Sequence, residues 1–88
     1  MRVNNLTSKN GNSVINQFEI YHNNNVFFQS YNTIIAKIDK KGKTILDTYA
    51  LEYSRTTSKY LYMFLGYDRK EILKRIKDKS IILKNLNK

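Results

Sequence analysis

The sequence of 88 residues predicts an α+β fold, in which a small antiparallel sheet of four or five strands is covered by two short C-terminal helices. Residues 14–49 are rich in β-branched and aromatic residues and are punctuated by turn-forming residues, a pattern typical of a β-meander of two hairpins. Residues 54–78 instead repeat apolar positions at spacings of three and four, which is typical of helices. A chain of this length forms one small core, so we expect a single domain spanning residues 1–88.

The meander is predicted from alternation and from its turns. The four predicted strands cover residues 14–21, 26–31, 34–39 and 44–49. Asparagines after His22 and the glycine in residues 40–43 favour the positive φ angles that tight hairpins need. Residues 1–13 are predicted to be a polar lead-in, with either a short strand or an ordered segment around residues 3–6, and residues 80–88 a terminal strand or tail.

Alternation also predicts which side chains share a face. One side of the first strand is predicted to hold Val14, Phe18 and Ile20. Its other side is predicted to hold Gln17, Glu19 and Tyr21. One face of the third strand is predicted to hold Ile34, Ala36 and Ile38. The resulting apolar sheet face needs a cover.

Capping residues predict the bounds of two covering helices. Ser54 as N-cap and Gly66 after the last turn predict a helix over residues 55–65. Its core stripe is predicted to be Thr57, Tyr60, Leu61, Phe64 and Leu65. Asp68 as N-cap, with Glu71 reaching back as a capping-box partner, predicts a second helix over residues 69–78. The core stripe of the second helix is predicted to be Ile72, Leu73 and Ile76.

The charge of the chain lies mostly in its second half. The 16 basic and seven acidic residues give a formal net charge of +9. Residues 1–54 hold six basic and four acidic groups, a net of +2, whereas residues 55–88 hold ten basic and three acidic groups, a net of +7. This asymmetry favours polyanions or acidic protein surfaces as partners.

Several functional classes lack the residues they need. The chain has no cysteine, which excludes disulfides and thiolate chemistry and is typical of a cytoplasmic protein. A secretory signal pattern and a membrane-spanning apolar run are both missing, so no membrane association is expected. The only histidine, His22, falls in a loop, and the carboxylates are spread along the chain as turn, cap or surface groups. We therefore expect a non-enzymatic protein with no catalytic residue, metal ion or cofactor.

The strongest functional pattern is a set of cations interleaved with tyrosines. Lys70, Lys74 and Lys77 share one face of the second predicted helix. The full candidate set for binding nucleic acid or another partner is Arg55, Lys59, Lys70, Lys74, Lys77, Lys79, Tyr53 and Tyr67. Cations neutralise phosphates and tyrosine rings offer stacking faces to bases. The alternative is that the lysines only solubilise the domain while the tyrosines pack in its core.

Several short blocks occur in an order found in a known family. They are Asn16-Gln17-Phe18, Phe28-Gln29-Ser30-Tyr31, Ile35-Ala36, Tyr53-Ser54, Thr56-Thr57 with Lys59, and Phe64-Leu65-Gly66. Over residues 14–66 the chain thereby resembles a largely uncharacterised family of small proteins from phages, prophages and plasmids of low-GC bacteria. It departs at Glu52, where that family tends to have Asp, and the basic residues after 66 lie outside the blocks.

The resemblance implies a phage or mobile-element accessory protein acting in the cytoplasm of a bacterial host. Together with the charge, it suggests two hypotheses. The first is a binder of nucleic acid or of a nucleic-acid-guided host effector, by analogy an anti-defence inhibitor of the anti-CRISPR kind. The second is a protein-only regulatory or structural module that binds an acidic host or phage protein.

Overall fold

The computed structural model, which describes residues 2–7 and 10–87, shows one sheet with two helices on one of its faces. The strands are β1 (Arg2–Thr7), β2 (Ser13–His22), β3 (Asn25–Ser30), β4 (Thr33–Ile38), β5 (Thr44–Asp47) and β6 (Ile81–Lys84). The helices are α1 (Arg55–Leu65) and α2 (Arg69–Lys77), and a short 3₁₀ turn, Ala50–Glu52, precedes them. The predicted α+β class and the two C-terminal helices are confirmed.

The sheet has six strands in the order β1-β2-β3-β4-β5-β6, one or two more than predicted. The segment predicted as a short strand or an ordered lead-in is the strand β1, which pairs antiparallel with β2 from Arg2 opposite Tyr21 to Asn5 opposite Phe18. Its sequence is mostly polar because it is an edge strand whose side chains are largely exposed, so it carries no alternating apolar signal. Residues 1, 8 and 9 of the predicted lead-in lie outside the described residues.

The predicted C-terminal strand is β6, and its direction distinguishes it from the other strands. It pairs parallel with β5, with Thr44 opposite Ile81 and Asp47 opposite Lys84, after the crossover through α1 and α2. All other neighbouring strands are antiparallel. Beyond β6, the Asn87 side chain donates to Ile34 O at 2.9 Å and to Asp47 Oδ1 at 3.1 Å, which ties the tail to the sheet. Residue 88 lies outside the described residues.

The helix ends follow the predicted capping residues, with one exception. The Ser54 hydroxyl accepts the amide of Thr57 at 3.2 Å, and Gly66 has a φ of 78° that ends α1. The Asp68 carboxylate accepts the amide of Glu71 at 2.8 Å at the start of α2. The Glu71 carboxylate, predicted to reach back to the cap, instead pairs with Arg75 at 2.8 Å. An arginine one turn ahead offers a charged partner, whereas the cap amide is neutral.

The core lies between the helices and one face of the sheet. Phe28 on β3 stacks on Phe64 of α1 with ring centroids 5.7 Å apart. The buried apolar core residues are Phe28, Ile35, Ala36, Leu46, Ala50, Tyr60, Leu61, Ile72 and Ile81. The prediction that Leu73 belongs to this core was wrong, since it is 46% exposed. Leu73 lies about 100° around the helix from the fully buried Ile72, so it falls on the flank of α2.

The helices cover the opposite face of β2 from the one predicted. Ser30 pairs with Gln17 in register and its hydroxyl contacts the Thr57 hydroxyl at 3.0 Å, which places both residues beneath α1. Gln17 is accordingly buried, while Phe18 and Ile20 face away from the helices. Val14 packs against the core because Asn16, with a φ of 65°, interrupts the alternation.

A second irregularity, in β4, places residues that were predicted to share one face of the third strand on opposite faces of the sheet. Phe28 pairs with Ala36, but Gln29 pairs with Ile34, so Ile35 is an extra residue on β4. Ile35 and Ala36 are both buried, while Ile34 follows Gln29 to the other side of the sheet. The prediction that Ile34 shares a face with Ala36 was therefore wrong.

Candidate functional site

The predicted lysine stripe lies on the solvent side of α2. Lys70, Lys74 and Lys77 are all exposed, and their positions fall within an arc of about 60° around the helix axis. Ile72 and Ile76 lie on the opposite side and pack into the core. The only ion pair on this helix within the described residues, Glu71 with Arg75, flanks the stripe and leaves the three lysines without a carboxylate partner.

The β4–β5 turn extends this stripe. Because β5 and β6 start side by side, with Thr44 opposite Ile81, the turn at residues 40–43 lies next to the end of α2. The Lys43 ammonium donates to the carbonyl oxygen of Lys79 at 3.0 Å, which joins the two segments directly. We define the cationic surface by its seven lysines: Lys40, Lys41, Lys43, Lys70, Lys74, Lys77 and Lys79.

Two carboxylates lie within the cationic surface, and both are bound to backbone amides. The Asp39 carboxylate accepts from the amides of Lys41 and Lys43, each at 2.9 Å. The bond from Lys43 is the main cause that lowers the pKa of Asp39, with the Lys41 amide and nearby lysine charges adding to it. The hydrogen bonds from the hydroxyl and amide of Ser80 likewise lower the pKa of Asp78. Seven lysines against two carboxylates leave this surface with a net charge of +5.

Two of the predicted cations lie elsewhere. Thr57 contacts Ser30, the last residue of β3, so the start of α1 sits at one end of the sheet. The end of α2 leads into Ile81, which lies at the other end. Arg55 and Lys59 are exposed at the start of α1 and therefore do not adjoin Lys77 and Lys79.

The two predicted tyrosines are engaged within the protein. The Arg75 guanidinium lies over the ring of Tyr67, 4.1 Å from its centroid, and covers one stacking face. The Tyr53 hydroxyl contacts Asp47 Oδ2 at 3.3 Å, and burial, followed by the charge of Asp47, raises the pKa of Tyr53. The Tyr53 side chain is 38% exposed, and its contact with Asp47 places it at the end of β5, away from the cationic surface.

Most arginines are also bound within the chain. The guanidinium of Arg2 lies 4.4 Å from the centroid of the Tyr21 ring, and Arg69 donates to Leu51 O at 3.2 Å. With Arg75 held by Glu71 and Tyr67, three of the four arginines have internal partners. The exposed cations of the site are therefore lysines.

The three turn lysines were missed as site residues because sequence analysis assigned residues 40–43 only to a hairpin turn. Their charge density was visible in the sequence. What brings them to α2 is the parallel pairing of β5 with β6, which joins segments more than 30 residues apart. No local pattern reports such a pairing.

Other features offer less chemistry. An open cavity of about 440 Å³ lies at the β2–β3 hairpin and is lined by Arg2, Tyr21, His22, Asn23, Asn24, Asn25 and Val26. His22 is exposed there, and its ring contacts the Asn23 amide at 3.2 Å.

Within residues 2–7 and 10–87, no three histidine or carboxylate side chains lie close enough to hold a metal ion. In the same part of the chain, no helix has the length and apolarity to cross a membrane.

Fold and surface together define a small α+β protein with a six-stranded sheet, two helices on one face and a lysine-rich surface. The chain belongs to DUF8033, a family of unknown function whose model matches residues 1–82. No curated protein and no solved structure matches the chain.

Proposed function

We propose that this protein is a non-enzymatic binder of nucleic acid that contacts the phosphate backbone through the cationic surface. The observation that carries the proposal is the junction of the β4–β5 turn with the end of α2. There the Lys43 ammonium donates to the carbonyl oxygen of Lys79 at 3.0 Å. That junction gathers seven of the twelve lysines on one part of the molecule, although they lie in two separate segments of sequence. Release of condensed counterions by such a cluster supplies affinity for any polyphosphate backbone.

The cationic surface consists of lysines and not arginines, which favours contacts with phosphates over hydrogen bonds to base edges. Bidentate recognition of guanine typically uses arginine, whereas lysine acts as a compact point charge. Three of the four arginines are held by internal partners, and Arg55 lies at the far end of the sheet. The site therefore fits binding with little sequence preference.

The positions of the two predicted tyrosines favour a duplex over a single strand. Proteins that bind single strands use aromatic faces on which successive bases stack. Tyr67 is covered on one face by Arg75, and Tyr53 lies beside Asp47 at the end of β5, away from the cationic surface. We therefore propose duplex DNA or RNA as the ligand, either free or within a nucleic-acid-guided host effector.

The biological setting in this proposal is a phage or mobile-element accessory protein acting in a bacterial host. A compact basic protein that occupies a duplex backbone would exclude a host nuclease or guide complex from the same phosphates. An anti-defence role of this kind is supported by the sequence resemblance and by the exposure of the lysines.

The test is fluorescence anisotropy with a labelled duplex of random sequence, titrated at several salt concentrations. If the cationic surface makes about five phosphate contacts, affinity should fall about 500-fold between 50 and 200 mM salt. Scrambling the duplex sequence should leave the affinity unchanged. An affinity that does not vary with salt, or no binding even at 50 mM, would contradict the proposal. Capture of an acidic host protein that persists after nuclease treatment would favour the protein-only alternative.

A further inference from the structure

The sheet face turned away from the helices carries a row of mostly apolar side chains. One row of side chains crosses all six strands in register on this outer face. The members of this outer row are Val3, Ile20, Phe27, Lys37, Ile45 and Ile82. The matching row beneath the helices is Asn4, Glu19, Phe28, Ala36, Leu46 and Leu83. Five of six outer positions are apolar, against four of six in the covered row.

Nothing in the described residues packs across this outer row. Both helices lie on the other side, where Phe64 stacks on Phe28 and Ile72 is buried. The C-terminal tail reaches only one end of the sheet, at Ile34. At the two edges of the outer row, Val3 is 51% exposed and Ile82 is 44% exposed.

The strand sequences show the same feature. A sheet covered on one side alternates apolar and polar residues, whereas strands buried on both sides are continuously apolar. The runs Val26-Phe27-Phe28 in β3 and Ile81-Ile82-Leu83 in β6 are of the second kind. In the adjacent row, Phe18 and Ile34 add two apolar side chains on either side of Gln29.

We propose that the outer face packs against the same face of a second copy, forming a two-sheet sandwich with the helices on both outer surfaces. This inference does not depend on the proposed function. Two sheets that pack face to face at about 10 Å interdigitate their side chains into a common core. The outer row would then be the centre of an isologous interface.

The size of the face fits a reversible dimer. Six strands about 4.8 Å apart span about 29 Å, and strands of this length give about 500 Å² per copy. The total of about 1,000 Å² buried lies at the lower end of specific interfaces. The dimer is therefore expected to depend on concentration.

The charges also favour a second copy over an acidic partner. Lys37 is the only charged residue of the outer row, and its ammonium lies 5.7 Å from the centroid of the Phe27 ring. Lys70, Lys74 and Lys77 lie on the helix sides, separated by two sheets and therefore by more than the Debye length of about 8 to 10 Å.

The primary test is sedimentation equilibrium over a wide concentration range, with a matched pair of variants. The wild type should approach twice the chain mass of 10.4 kDa as concentration rises. Ile82 and Leu83 are adjacent and equally exposed at 44%, but they lie on opposite faces of β6. Ile82→Lys should weaken the dimer by roughly tenfold or more because it buries an unpaired charge, whereas Leu83→Lys should change it by less than about twofold.

A second measurement keeps the test valid if Ile82→Lys does not fold. The chain has no cysteine, so Lys37→Cys carries a single nitroxide label. In a mixture with isotope-labelled wild type, the label should broaden the amide signals of Ile20 and Ile45 and spare those of α2. A wild type that stays monomeric would overturn the proposal. So would dissociation by Leu83→Lys alone, or broadening confined to the helices.

Discussion

Reversal of three lysines on α2 tests the cationic surface most directly. Lys70, Lys74 and Lys77 are exposed, share one side of the helix and lie opposite its buried residues. The variant K70E/K74E/K77E removes three phosphate contacts, and each contact contributes about 0.9 to the slope of log affinity against log salt. At 100 mM salt, three lost contacts correspond to a loss of about 500-fold, before any repulsion between the new carboxylates and phosphates is counted.

The salt dependence should change together with the affinity. A wild type with about five contacts has a slope of about −4.5, and a variant with two contacts has a slope of about −2. Anisotropy titrations at several salt concentrations measure both quantities on the same duplex. A shallower slope is specific to lost phosphate contacts, because a general loss of folded protein would lower the affinity without changing the slope.

The matched control variant reverses the charge of three cations at the other end of the sheet. Arg55, Lys59 and Lys84 are exposed, and reversing them changes the net charge by the same six units. Lys84 lies at the end of β6 opposite Asp47, away from the junction of α2 with the β4–β5 turn. The control variant should bind within about tenfold of the wild type, because exposed charges beyond a Debye length of about 10 Å are screened.

The stability of the variant must be checked because two of the lysines lie near the end of α2. Cations in a last helical turn are favoured by the helix dipole, so reversing Lys74 and Lys77 should cost about 1 kcal/mol in total. Circular dichroism melts measure that loss, and the corresponding Lys→Gln variant avoids most of it. Equal losses of affinity in the α2 variant and the control would refute the assignment of the site, since net charge alone would then explain binding.

Three further predictions concern stability. Asn87→Ala should lower the free energy of unfolding by about 1 to 2 kcal/mol in denaturant titrations, because Ile34 and Asp47 lose their bonds to the tail; an unchanged value would show that the tail is not docked. Gln17→Met should raise that free energy by about 1 kcal/mol, since Gln17 Oε1 is buried without a partner among the described residues, and a decrease would reveal an unseen partner. The hydrogen bond to Glu19 raises the pKa of Tyr21, so the folded state holds that proton more tightly and its stabilising contribution is lost as pH rises above 10.0; Tyr21→Phe should flatten the alkaline stability curve, and an unchanged curve would contradict this.

The helices were predictable because their signals are local. Ser54 and Gly66 define α1 by their own chemistry, and the structure gives the same bounds of 55 and 65. Asp68 likewise defines the start of α2. Each of these residues acts on backbone groups within one turn, so no knowledge of the tertiary structure was needed.

The faces of the sheet were less predictable because alternation does not say which side is covered. In β2, Phe18 and Ile20 alternate with Gln17 and Glu19, and alternation alone predicts that the apolar side faces the core. The structure covers the Gln17 side, since the helices need Phe28 beneath them and Glu19 pairs with Phe28. The irregularities at Asn16 and Ile35 then shift neighbouring residues to other faces. Both effects depend on pairing between strands and not on any single strand.

Only part of the cationic surface was predictable from the sequence, because the rest depends on how the strands pair. The stripe of Lys70, Lys74 and Lys77 follows from helical periodicity alone. The separation of Arg55 from Lys79 follows instead from where each helix end meets the sheet. A list of cations along the sequence cannot distinguish charges at one end of a sheet from charges at the other.

The two proposed surfaces use different residues because the helices lie on one side of the sheet only. Six of the seven lysines of the cationic surface are exposed on the helix layer or on the turn beside it, while the outer row offers one cation among five apolar side chains. Charge repels a like-charged copy, so self-association requires a face where charge is sparse, and duplex binding requires the reverse. A sheet with lysines above one face and an apolar row on the other meets both requirements at once. The net charge of +7 after residue 54 is therefore compatible with a dimer. The crossover between β5 and β6 places most of these basic residues on the side that faces away from the second copy.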